Sequence, residues 1–158
     1  MEWEVLGECM VRTSVKMDFW QAVAFAKRHQ PHDPFHPRGA GADFQRAVAD
    51  ELPVCPSRLG LYTGLGTPLD RLGVDGFFFW DGLIVSFDLT KNPHKDSTRA
   101  RVLVTGEDVV CGFPWAAYQI AECFRSLIKT RAQRRRWPCE GCEGGVRWWR
   151  PEPLERPA

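Results

Sequence analysis

The chain has 158 residues, of which 44% are apolar and 26% charged, with a formal net charge of +1. That length suits one domain with a sizeable core, and so small a net charge gives no global field that would draw in a polyanion. No apolar run approaches the roughly 20 residues of a membrane span.

The start shows no basic stretch followed by an apolar one, so a cytoplasmic protein without a signal peptide is expected. Six scattered cysteines do not resemble a small disulfide scaffold, and reduced thiols, several in the core, are expected. Charge is unevenly placed. Lys129, Arg131, Arg134, Arg135, Arg136, Arg147 and Arg150 crowd the C-terminal part, against Glu140 and Glu143.

In chain order, Glu2 to Val11 has weak strand character. Met17 to His29 reads as a helix, with Asp18 near its start and an apolar stripe of Phe19, Trp20, Val23, Ala24 and Ala26. Pro31 to Gly41 is a loop, by its prolines and glycines. Ala42 to Leu52 returns to helical spacing through Phe44, Val48 and Leu52, and Pro53 and Pro56 end it. Arg58 to Thr63 is a first strand. A connection follows, with one helical turn after Thr67-Pro68, and Gly64-Leu65-Gly66 within it is turn chemistry rather than a phosphate loop.

Gly73 to Lys91 then reads as a β-hairpin. Asp81-Gly82 suits a two-residue type I′ turn, whose central residues both need positive φ. That turn sets Trp80 opposite Leu83, Phe77 opposite Ser86 and Asp75 opposite Asp88. A three-residue loop would slip the register. Both hairpin faces are apolar, so a sheet covered on both sides is expected. Ala100 to Thr105 is a further strand. Pro114 opens a helix carrying Ala116, Ile120, Cys123, Phe124, Leu127 and Ile128, with basic residues near its end to complement the dipole.

Opposed aspartates lie about 4.5–5.5 Å apart at Cβ, where like charges repel, so a compensating group is expected. A divalent cation is the simplest, since hard cations take carboxylate oxygens. The alternative is that Asp75 is a turn residue between Gly73 and Gly76, and that Asp88 ends a strand where the chain meets water.

A helix with an acidic residue, a strand, Asp75 before an apolar hairpin and Asp88 near the end of the next strand together resemble the PD-(D/E)xK nuclease core, over Ala42 to Ile128. The resemblance implies an α/β, restriction-endonuclease-like core with a central mixed β-sheet, a β-hairpin and flanking helices. It implies Asp75 and Asp88 as ligands of Mg²⁺ or Mn²⁺, Glu51 as the assisting helix acid, and hydrolysis of a nucleic-acid phosphodiester. It also calls for a lysine two residues after the second acid. Thr90 stands there instead, on the face of Asp88 in a regular strand, while Lys91 points away unless the strand bulges or ends at Thr90. Lys91 is the first candidate for the amine, Lys95 on the next loop ranks behind it, and without an amine Thr90 could orient water. Lys95, Arg99 and Arg101, with His94, are candidate phosphate contacts.

Cys139-Glu-Gly-Cys142 has half the spacing of a zinc site, but no second pair completes it, so zinc is not expected. His29, His32 and His36 receive no role. Arg134-Arg-Arg-Trp137 and Arg147-Trp-Trp-Arg150 interleave cations with indoles, which could stack bases and bind phosphates, but the pattern favours packing or protein contact over nucleic acid. The chain thus divides into one α/β domain, 1–136, and a Trp/Pro/Arg-rich tail, 137–158. The alternative to a nuclease is a non-catalytic interaction module or assembly subunit that uses this tail as its contact surface.

Overall fold

The sheet is built around a hairpin whose side chains are large and apolar on both faces. In the computed structural model, which describes residues 2–136 apart from Met10, Arg12, Pro93 and Asp96, β1 (Gly60–Thr63), β2 (Gly76–Trp80), β3 (Leu83–Thr90) and β4 (Val102–Thr105) form one sheet in the order β1-β2-β3-β4. The first three strands are antiparallel neighbours, and β4 runs parallel to β3. Asp81 and Gly82 have φ of 51° and 75°, the positive values of a type I′ turn. The expected register follows, with Phe77 opposite Ser86 and Trp80 opposite Leu83.

Alternation along the strands divides the core in two. Phe78, Val85, Phe87 and Leu89 face one way and pack with α3 (Ala40–Glu51) and α6 (Pro114–Arg136). Phe44 of α3 is fully buried there, with ring centroids 4.8 Å from Phe78, 5.2 Å from Phe87 and 4.1 Å from Phe113. Tyr62, Phe77 and Ile84 face the other way, against Ala22, Val23 and Ala26 of α2 (Phe19–Arg28). The molecule is therefore an α/β fold with helices on both faces of a four-stranded mixed sheet.

Local chemistry explains the element ends. Asp18 caps α2, accepting from Gln21 N–H at 2.8 Å, while Gln21 Oε1 accepts from Asp18 N–H at 3.0 Å. Thr67 caps the single turn α4 (Pro68–Arg71), whose first residue is the expected proline. The exposed edge of β1 is occupied by a side chain. Gln30 accepts from Thr63 N–H and donates to Thr63 C=O, each at 2.9 Å, as a neighbouring strand would. Gln45, buried on α3, donates to the carbonyls of Phe35, Pro56 and Leu59, each at 2.9 Å, and so fastens the segments on either side.

Two elements differ from the sequence expectation. Glu2–Val5 forms a helical turn, α1, rather than a strand, and Val5 and Leu6 enter the α3 side of the core. Four residues are too few for apolar alternation to distinguish the two, and packing decides. A short helix, α5 (Gly106–Val110), stands between β4 and α6. Its Asp108 accepts from the N–H groups of Trp115 and Ala116, both at 2.8 Å, and so satisfies the start of α6 from outside that helix.

Candidate functional site

The site forms at the open end of the hairpin. Asp75 lies one residue before β2. Its N–H donates to Phe87 C=O at 3.0 Å, and its C=O accepts from Gly64 N–H at 2.7 Å. Beyond the last rung, its Oδ2 accepts from Leu89 N–H at 2.8 Å, so the carboxylate continues the ladder where the β2 backbone has left it. Gly76 permits the close approach. A Cβ there would lie 2.7 Å from the Phe87 ring and from Tyr62 O.

Asp88 sits on β3, on the face that also carries Ser86 and Thr90, and all four of Asp75, Ser86, Asp88 and Thr90 are buried. Lys95 Nζ lies 2.5 Å from Asp88 Oδ2, and Thr98 Oγ1 donates to the same oxygen at 3.0 Å. No donor to Asp88 Oδ1 is present among the described residues. Both partners come from the crossover, residues 91–101, which links two parallel strands and holds no helix among its described residues. Asp88 thereby holds the crossover over its own face. Thr98 Oγ1 also accepts from Ala100 N–H at 3.1 Å, and Ser86 Oγ accepts from Arg101 N–H at 3.1 Å, extending the same stitching.

The compensation expected for two opposed carboxylates is thus supplied in part by the protein. An ammonium and a hydroxyl sit on Asp88, and a backbone N–H sits on Asp75. Thr90 shares the Asp88 face, and its Oγ1 accepts from Asn92 N–H at 3.0 Å. β3 ends at Thr90, and Lys91 beyond it is exposed. Lys95 reaches the acid instead. Arg99 is exposed and runs beside Gly73, at the turn leading into Asp75.

Two expected residues are not brought to the pair. Glu51 is exposed at the end of α3, in the helical layer that covers the opposite face of the sheet. Its backbone carbonyl accepts from Arg125 of α6. Arg101 is exposed, and its N–H is taken by Ser86 Oγ rather than by either aspartate. Cys139, Cys142 and the tryptophan-rich tail lie outside the described residues.

The donor set suits a hard cation. Asp75 and Asp88 both lie at the hairpin mouth, and among the described residues no donor reaches Asp88 Oδ1. Among the described residues, no group of three or more His, Cys, Asp and Glu side chains gathers as a metal cage. Mg²⁺ commonly binds through one or two carboxylates and completes its shell with water and substrate phosphate, so the pair fits a site of that kind. The sequence ranks Lys95 behind Lys91 because its approach to Asp88 depends on the path of the crossover rather than on strand spacing.

The cysteines are free thiols among the described residues. Burial, aided by the Glu8 charge, pushes Cys9 up to about 11. Cys55 is lowered, first by the hydrogen bond from the Ser57 side chain, then by Ser57 N–H, with Arg58 adding to it. A lowered thiol holds more thiolate at a given pH. At pH 8, iodoacetamide is therefore expected to modify Cys55 early and Cys9 last in the folded protein, as followed by peptide mass spectrometry.

In comparisons with protein-family models, curated proteins and solved structures, no match to this chain was found.

Proposed function

We propose that this protein is a metal-dependent nuclease with a restriction-endonuclease-like core, hydrolysing a nucleic-acid phosphodiester at the mouth of the β2–β3 hairpin. The observation that carries this reading is the placement of Lys95. The PD-(D/E)xK pattern needs two acids and an amine, and the spacing along β3 lacks the amine. The crossover returns it at 2.5 Å from Asp88, one residue beyond the rung that ends the β2–β3 ladder.

Asp75 and Asp88 would hold Mg²⁺ or Mn²⁺, which when bound supplies a polarised phosphoryl oxygen and a more acidic water. Lys95 places a positive charge where negative charge develops on the phosphoryl oxygens, the preorganised stabilisation that dominates many active sites. Thr90, on the same strand face, orients the pocket floor through its hydroxyl. Arg99, beside the turn into Asp75, is positioned to contact a neighbouring phosphate.

The test is cleavage of end-labelled single- and double-stranded DNA and RNA by the full chain with Mg²⁺, with Mn²⁺ or with EDTA. Cleavage that depends on the metal is expected for at least one of the four substrates. No cleavage of any, under all three conditions, overturns the reading.

A further inference from the structure

α6 has two usable faces, and the core takes only one of them. Ala117, Ile120, Phe124 and Leu127 are buried against the sheet and α3. On the outer face, Trp115, Tyr118, Glu122, Arg125, Lys129 and Ala132 are exposed. These six recur at alternating steps of three and four residues, the heptad spacing with which one helix meets another. Trp115 and Tyr118 are 69% and 48% exposed, the most exposed aromatic rings among the described residues. They meet edge to face with centroids 6.5 Å apart. Large rings held in the open on a helix mark a contact surface.

The order of side chains along this seam points to its occupant. Aromatic and acidic groups stand at its start, cations and then a small residue at its end. A second copy can run antiparallel to the first, with a two-fold axis between Glu122 and Arg125. Glu122 then faces Arg125 of the second copy, Tyr118 faces its Lys129, and Trp115 faces its Ala132. Each carboxylate meets a guanidinium, each phenol ring meets an ammonium, and each indole meets a methyl group that leaves it room. The same pairs repeat on the other side of the axis, as a two-fold interface requires. A parallel arrangement would instead oppose Glu122 to Glu122, Arg125 to Arg125 and Lys129 to Lys129. A foreign partner of one charge would suit only half of the seam. The ion pair between Glu122 and Arg125 within each copy leaves both groups available. Their side chains are 50% and 43% exposed, and a guanidinium and a carboxylate each have bonding positions to spare after one contact.

We infer that the outer face of α6 is a homodimer interface, with two copies packing this helix antiparallel from Trp115 to Ala132. The contact is roughly 26 Å long at the helix rise per residue. Two aromatic anchors flank a charged centre, a composition suited to a reversible dimer rather than an obligate one. α6 covers the face of the sheet opposite Asp75 and Asp88, so the hairpin mouth stays open in both copies. The inference does not rest on the nuclease reading.

Sedimentation equilibrium of the full chain at about 2 to 200 µM is the test. The mass is expected to rise with concentration from 18.0 kDa toward twice that value. Trp115→Ala/Tyr118→Ala is expected to weaken the dimer by at least about tenfold. Glu122→Arg places cations at both central positions, and Arg125→Glu places acids at both, so each variant alone is expected to remain monomeric. Mixed in equal amounts, the two are expected to restore the dimer, because every central pair is again of opposite charge. Thermal melts establish that each variant is folded. Arg125→Glu also loses its contact with the Glu51 carbonyl, so Trp115→Ala/Tyr118→Ala, which removes only exposed rings, decides the matter if that variant does not fold. A mass of 18.0 kDa at every concentration would overturn the inference. So would a dimer that survives Trp115→Ala/Tyr118→Ala at full strength, or folded charge variants that fail to recombine. A chain that stays monomeric and binds single-stranded oligonucleotide through the two rings would also overturn it, and would make the seam a base-stacking surface.

Discussion

Lys95→Ala is expected to lower the proposed metal-dependent hydrolysis by about 10²- to 10³-fold, while Lys91→Ala leaves it within about threefold. The two residues compete for one role. Lys91 directly follows the last residue of β3 and is exposed, whereas the Lys95 amine is held on Asp88 Oδ2 with Thr98 beside it. A purely structural Lys95 would show a different pattern. Its side chain is 36% exposed, so the ion pair is partly screened and its loss costs only about 1 kcal/mol of stability. Single-turnover cleavage and urea melts on the same preparations separate the cases. A large loss of rate with a small loss of stability assigns the amine to the chemistry. Loss of rate in Lys91→Ala but not in Lys95→Ala would reverse the assignment.

On the proposed nuclease function, Asp88→Asn and Asp75→Asn are each expected to reduce hydrolysis by about 10³-fold, since a metal held by these carboxylates would supply several kcal/mol of charge stabilisation at the phosphoryl group. Their effect on stability has a sign that opposed charges alone would not suggest. From the sequence, neutralising either aspartate relieves repulsion and preserves or raises stability. In the fold, Asp88 Oδ2 receives Lys95 and Thr98, and Asp75 Oδ2 receives Leu89 N–H. An amide weakens these charge-assisted bonds, so Asp88→Asn is expected to cost about 1–2 kcal/mol and Asp75→Asn about 1 kcal/mol. Denaturant melts in EDTA at pH 7 measure this directly. Full activity in either variant, with only stability reduced, would make the aspartates staples of the crossover and the hairpin mouth.

Local rules made much of this architecture legible. Asp81-Gly82 specifies a type I′ turn because few pairs accept two positive φ values, and the turn then dictates which residues face each other down to Gly76 and Phe87. Apolar residues on both faces of the hairpin require two covering layers, and α2 on one side with α3 and α6 on the other provide them. Asp18, Thr67 and Pro114 mark helix starts through capping and through a missing N–H, effects confined to a few residues.

The rest depended on neighbours distant in sequence. Glu2–Val5 is helical where Val5, with Leu6 after it, buries against the α3 layer, which no window of that length reveals. Glu51 has the right residue type, but α3 covers the face of the sheet opposite Asp75 and Asp88, and the choice of face is a matter of layering rather than helical spacing. Lys95 was one of several cations until the crossover folded back over Asp88. Period, turn and cap act over a few bonds, so residue order alone specifies them. Which amine meets which acid depends on where a loop closes in space, and only the packed sheet decides that.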